Sequence, residues 1–138
     1  MNPATRAAAA GEGNQILGAV LGEHSVLLVE EANALGGTST TGGVAEWFAS
    51  LAGLGDIFDS VQAELERYGS RYSRHFNPEH LKIIWQLLAE QAGVRLLLHA
   101  SLVSATTDGA RVTSVGLVSC SRALAAQARA FIDCTGEG

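Results

Sequence analysis

Between Ser25 and Glu30 four apolar residues, Val26-Leu27-Leu28-Val29, run without interruption and stop at a carboxylate. A short unbroken run of this kind predicts a strand buried on both faces of a parallel sheet. Upstream, residues 14 to 23 place Ile16, Leu17, Val20 and Leu21 at helical spacing behind Asn14, which predicts a short apolar helix ending near Gly22. Residues 42 to 54 are small and apolar. The stretch from Asp56 then fits a helix carrying Ile57, Phe58, Val61 and Leu65 on one side, with Gly69 to end it.

The next helix has the clearest boundaries. Asn77 is a good N-cap, Pro78 suits the first helical position, and Glu79 favours the positive end of the helix dipole. Leu81, Ile84, Leu87 and Leu88 form its apolar stripe, and Gly93 closes it. From Val94 a strand pattern continues to Asp108-Gly109, a pair that favours a type I′ hairpin turn, and Val112, Val115 and Leu117 return among polar residues. A further strand is expected from Arg122, then the apolar run Ala130 to Cys134, then a glycine-rich stop. This order predicts an α/β fold, a nucleotide-binding parallel sheet with an antiparallel hairpin inserted before its last strand. No repeat or linker divides the chain, so residues 1–138 are expected to form one domain or part of one.

Composition narrows the function classes. Hydrophobic residues make up 47% and charged ones 17% of 138 residues, a globular balance. With 9 basic against 14 acidic side chains, nothing marks a nucleic-acid partner. Cys120 and Cys134 are too far apart for CxxC chemistry and too few for a disulfide framework, so a reducing cytoplasm is the simpler expectation. No export signal or membrane-length apolar segment is visible, and no membrane partner is expected.

Glu30 is the first chemical candidate. A carboxylate at the end of a strand in a doubly wound fold can accept hydrogen bonds from the ribose hydroxyls of a dinucleotide, although a solvated strand end reads the same way. Gly36 and Gly37 remove side chains where backbone would approach a ligand, and Thr38, Ser39, Thr40 and Thr41 offer hydroxyls beside backbone N–H groups. Other groups are weaker candidates. Arg67, Arg71 and Arg74 recur near Tyr68, Tyr72 and His75, a pattern that suits either an anion or a solvated face. His24, His80 and His99 form no metal-ligand spacing, no GxSxG or GxxxxGK[ST] motif is present, and Trp47 and Trp85 are expected in the core.

The stretch "VLLVEEANALGGTSTTGG" resembles the second-strand segment of FAD-dependent oxidoreductases of the two-dinucleotide-binding-domain type. "ARAFIDCTGEG" resembles a later strand and turn of the same family, and residues 76 to 119 resemble the helix, strand and hairpin between them. The resemblance implies FAD as cofactor, held by Glu30 at the adenosine ribose and by Gly36, Gly37 and Thr38 where backbone approaches. It also implies a main-chain contact of Val103 to the adenine, and Thr135 and Gly136 packed on the phosphate side. The activity implied is redox transfer through flavin on an unidentified small-molecule substrate, with no side chain assignable as a catalytic acid or base.

The chain also departs from that family's pattern. Gly11 and Gly13 begin a GxGxxG whose third place, position 16, is Ile, and Gly11 lies only 19 positions before Glu30. The preceding alanine-rich segment lacks the β-branched residues of a buried strand, so the first strand is expected to be remodelled or missing. Nothing follows Gly138. The chain is therefore expected to be a partial FAD-binding domain that by itself binds FAD weakly or not at all. Two alternatives stay open: an NAD-type dinucleotide module, and a degenerate non-catalytic piece that needs an oligomer or a partner chain to complete its sheet.

Overall fold

In the computed structural model, which describes residues 6–10, 26–48 and 51–135, four parallel strands form the central sheet in the order β5-β2-β1-β9. They are β1 (Arg6–Ala10), β2 (Val26–Glu30), β5 (Val94–Leu97) and β9 (Phe131–Cys134). Helices α1 (Asp56–Arg67) and α2 (Pro78–Gln91) flank a small hairpin of β3 (Arg71–Tyr72) and β4 (His75–Phe76), and an antiparallel sheet of β6 (Ala100–Asp108), β7 (Arg111–Ser119) and β8 (Arg122–Gln127) precedes β9. The expected α/β architecture is thus present. The short helix read over residues 14 to 23 and the glycines at 11 and 13 lie outside the described residues.

Strand β1 corrects the expectation of a missing first strand. It pairs in parallel with β2 from Arg6↔Val26 to Ala10↔Glu30, and with β9 from Ala7↔Phe131 to Ala10↔Cys134. A central strand receives ladder hydrogen bonds from both neighbours, and that pairing overrides the weak strand propensity of alanine. With β2 and β5 on one side of β1 and β9 on the other, the chain direction across the sheet reverses at β1. That is the switch point of a doubly wound sheet, where the crevice for a ligand opens at the carboxyl ends of the strands.

The apolar run in β2 is covered on both faces, as its pattern predicts. Val26 and Leu28 pack with Leu35, Ala89 and Val94 in a cluster to which Trp85 contributes. Val29 packs on the other face with Ala100 and Leu117, alongside Leu27, Leu97 and Val115. A third cluster, Val61, Leu65, Phe76, Leu81 and Ile84, joins the two helices. Helices, parallel sheet and antiparallel sheet therefore make three layers.

Helix boundaries follow their capping chemistry. The Asn77 side chain accepts from the Glu79 N–H at 2.9 Å, and Pro78 occupies the first turn. Helix α1 ends in a Schellman pattern: the Gly69 N–H donates to Glu66 O at 2.9 Å, and the Ser70 N–H to Leu65 O at 2.9 Å, with Gly69 at φ 62°.

Two local expectations change. The strand expected from Val94 to Asp108 breaks at His99, whose φ of 54° turns the chain out of the parallel sheet and into β6. The His99 N–H donates to Ala32 O at 3.1 Å and fixes that corner beside the end of β2. The loop after β6 is Gly109-Ala110 between the paired Asp108 and Arg111. Only Gly109 has positive φ (58°), the pattern of a type II′ turn and not of the expected I′. Cys120 and Ser121, both at positive φ (47° and 64°), form the I′-like turn between β7 and β8 instead.

The helix cluster yields a direct test. Leu81 is fully buried and Ile83 is half exposed on the same helix. Leu81→Ala is expected to lower unfolding free energy by ~2–5 kcal/mol and Ile83→Ala by less than about 1 kcal/mol, measured by urea denaturation.

A candidate nucleotide site at the carboxyl end of β2

Residues alternate along β2, so Glu30 shares the face of Val26 and Leu28 and turns toward the loop that follows the strand. Its side chain is 6% exposed. Oε1 accepts a hydrogen bond from the Ala32 N–H at 2.8 Å. Burial nevertheless pushes the carboxyl above its usual range, with the Glu31 charge adding to the rise and the backbone hydrogen bonds opposing it. Ala10 pairs with Glu30 on one side and with Cys134 on the other, so the ends of β2, β1 and β9 share one row.

Beside Glu30 lies a half-open cavity of about 390 Å³, lined by Glu30, Glu31, Ala32, Gly37, Thr38, Thr41 and Gly42. Its far wall is built from the glycine-hydroxyl run. Gly37–Ser39 is a turn of 3-10 helix, preceded by Gly36 at φ 106°. The Thr40 and Gly42 N–H groups both donate to Gly37 O at 3.0 Å, and the Val44 N–H donates to Thr38 O at 3.0 Å. The four hydroxyls divide by role. Thr40 Oγ1 donates to Leu35 O at 2.7 Å and Ser39 Oγ to Gly36 O at 2.9 Å, both buried, so these two hold the loop closed. Thr38 and Thr41 are the pair on the cavity wall, and Thr41 Oγ1 also donates to Gly37 O at 3.2 Å.

The structure thus brings together Glu30, Gly37 and Thr38 of the expected site residues. Gly36 is buried behind the wall: a Cβ there would lie 2.6 Å from Thr40 Cγ2 and 2.8 Å from Trp85 Cδ1, so its role is to let the loop seat against α2. Thr135 directly follows the row of strand ends, and its N–H donates to Asp133 Oδ1 at 2.8 Å, holding that carboxyl below its usual range. Gly136 lies outside the described residues. Val103 is elsewhere, the extra residue of a bulge between Leu102↔Leu117 and Ser104↔Gly116 in β6, and is not among the residues lining the Glu30 cavity.

Glu31, Ala32 and Gly42 line the cavity without having been singled out from sequence, and Thr41, one of the hydroxyls read there, lines it too. Gly42 carried the readable signal: it is part of the second glycine pair, and a Cβ there would fall 2.8 Å from Thr38 Cα. The arginines do not converge. Arg67 pairs with Glu64 at 2.7 Å, Arg71 with Glu66, and Arg74 donates to Trp47 O at 3.4 Å. His80 contacts Ser70 and His99 sits at the β5–β6 corner, while His24 lies outside the described residues. Among the described residues no group of His, Cys, Asp or Glu side chains could hold a metal ion, and no helix is long and apolar enough to cross a membrane.

A buried strand-end carboxylate beside a glycine-built wall, on the strand next to the switch point of a parallel sheet, is the arrangement that dinucleotide-binding α/β proteins use. The description "FAD dependent oxidoreductase" fits residues 10–138 at the level of a protein-family model, and the chain belongs to that family, whose cofactor is FAD. Solved structures with the same fold include the myxobacterial chondrochloren halogenase CndH, described as an FAD-dependent halogenase (18% identity, TM-score 0.64). That match covers 95% of this chain and 37% of the halogenase. Others are CabE, an aromatic hydroxylase from angucycline biosynthesis (15%, 0.61, covering 94% and 30%), and THI4 of Thermovibrio ammonificans (13%, 0.55, covering 95% and 57%). The chain spans about a third of the length of the first two. Comparison with curated protein sequences finds no match.

Two outcomes follow from this geometry. Gly36→Ala is expected to cost ~2–4 kcal/mol, because the positive φ and the contact with Trp85 act together; thermal unfolding measures it. For Glu30 the folded pKa is raised, so its contribution to stability is full below the unfolded value of 4.5 and is lost as pH rises through the folded value. Glu30→Gln should therefore gain stability relative to the parent chain over that rise, and parallel denaturation curves across pH 4 to 8 read the difference.

Proposed function

We propose that residues 1–138 form the cofactor-binding portion of an FAD-dependent oxidoreductase, with the Glu30 cavity holding the adenosine end of the cofactor. The observation that carries this reading is the buried Glu30 carboxylate, set at the edge of a cavity whose opposite wall is Gly37, Thr38 and Gly42. A carboxylate accepts hydrogen bonds only, and the two hydroxyls of a ribose donate them. Ionised Glu30, kept in place by the Ala32 N–H, would orient the sugar. The wall of glycines leaves room for a phosphate or sugar edge, and the Thr38 and Thr41 side chains flank it. When bound, FAD accepts the electrons or hydride of the reaction. The chain's own part is to bind the cofactor, orient it and cover one side of it.

Thr135, beyond the end of β9, supports the phosphate side of the same site, with Gly136 next to it in sequence. A main-chain contact from Val103 to adenine would require the β6 bulge to reach the cofactor along the sheet edge. The substrate is a small molecule. The expectation that this chain by itself holds FAD weakly also stands as part of the proposal, since the described cavity supplies only the strand-end carboxylates Glu30 and Glu31 and one loop wall. Strands β5 and β9 are the edges of the parallel sheet among the described residues, and we propose that a further segment, a second copy or a partner chain completes one of them. A cytoplasmic setting is supported by Cys120 and Cys134, both free thiols.

Titration calorimetry with ADP and with FAD tests the assignment. ADP is expected to bind, and Glu30→Gln to weaken it by about tenfold, the loss of a charge-assisted hydrogen-bond pair. FAD is expected to dissociate during gel filtration. Equal ADP affinity in parent and variant would remove Glu30 from the site, and a yellow protein after gel filtration would show that the described cavity is enough.

A further inference from the structure

The wall residue Thr38 belongs to two cavities. One is the Glu30 cavity. The other, about 520 Å³, lies across the loop toward α1 and is lined mainly by aromatic and aliphatic side chains, among them Trp47, Phe48, Leu54, Phe58 and Trp85. That volume falls in the range of small-molecule sites, roughly 300–1,000 Å³, and its composition is theirs too: mostly apolar with a few polar groups. Its carboxylate is Glu46, whose Oε2 lies 3.6 Å from His75 Nε2.

Two features separate this cavity from ordinary packing. First, Val44, Phe48, Leu54 and Ile57 are large apolar residues left exposed, and all four line it. Exposed apolar surface gathered in one concavity marks a binding surface more than scattered residues do. Second, the ring faces are organised: Trp47 lies 4.3 Å from Phe76 with planes 30° apart and 5.3 Å from Phe58 at 72°. Their rotamers are thereby locked before a ligand arrives.

We infer that this second cavity binds a planar aromatic molecule of fused-ring size carrying a hydroxyl, as a phenol does. The rings would lie among Phe48, Leu54 and Phe58, and a hydroxyl can donate to the Glu46 carboxylate. Charged or purely polar metabolites would leave the aromatic walls dry and unpaired. Calling this molecule the substrate class rests on the flavin reading of the neighbouring cavity, to which the shared Thr38 joins it; binding itself does not depend on that reading.

The chain has two tryptophans, both in this wall, so their fluorescence reports occupancy. Titration with 2-naphthol is expected to change the emission saturably. Phe48→Asp and Leu54→Asp, at exposed rim positions, should each weaken 2-naphthol by about tenfold or more, Phe48→Tyr should retain it, and all three should keep the parent's unfolding temperature. Cyclohexanol, flexible and without a ring face, should bind more weakly than 2-naphthol. A linear, non-saturating response to 2-naphthol, or an affinity in both Asp variants equal to the parent's, overturns the inference. ADP binding measured on the same samples keeps the two readings apart: ADP bound without 2-naphthol defeats this inference alone, and 2-naphthol bound without ADP supports the cavity while defeating its description as a flavin substrate site.

Discussion

Strand β2 is clamped between two apolar layers, Leu35, Ala89 and Val94 on one face and Ala100 and Leu117 on the other. Because side chains alternate, a slip of one residue against β1 and β5 would send Glu30 to the face of the antiparallel sheet and away from the glycine loop. Both faces are apolar, so hydrophobic burial by itself would tolerate that slip. What resists it is the buried carboxylate, which needs the Ala32 N–H and the open cavity beside it. The register of β2 and the position of the candidate site are therefore one constraint.

The loop after β2 extends this logic. Its hydroxyls on Ser39, Thr40 and Thr41 all donate to loop carbonyls, while Gly37, Thr38 and Thr41 line the cavity. Gly36 allows the loop to lie against Trp85, and Trp85 in turn joins the core behind β2 to the helix cluster. Wall and core are thus the same packing problem. This is how a short polar run can hold a defined shape at a site where it would otherwise be mobile.

Much of the architecture was legible in local pattern. The unbroken run of β2, the Asn77-Pro78 start of α2 and the Gly69 and Gly93 ends all appear where capping and periodicity place them. Glu30, Gly37 and Thr38 could be singled out because a strand-end carboxylate followed by glycines and hydroxyls is a local signal, and the fold brings them to one cavity. The misses are of another kind. Alanine in β1 carries no strand signal, and what makes a strand of it is the pair of neighbours β2 and β9, the latter more than a hundred positions along the chain. The break at His99 depends on a backbone bond to Ala32, and the chain turns there although no glycine or proline marks the place.

The sequence by itself determined the class of protein: an apolar strand ending in Glu30, a glycine-hydroxyl loop and the later strand with its turn are short-range patterns, readable because propensity, capping and burial act over a few residues. Only the tertiary structure decided which of those residues meet. It set Gly36 behind the wall instead of on it, placed Val103 on the β6 bulge, divided the four hydroxyls between loop closure and cavity, and joined the Glu30 cavity to an aromatic one through Thr38. Those outcomes rest on contacts between segments far apart in the chain, and no local pattern encodes the distance between two side chains that only packing brings together.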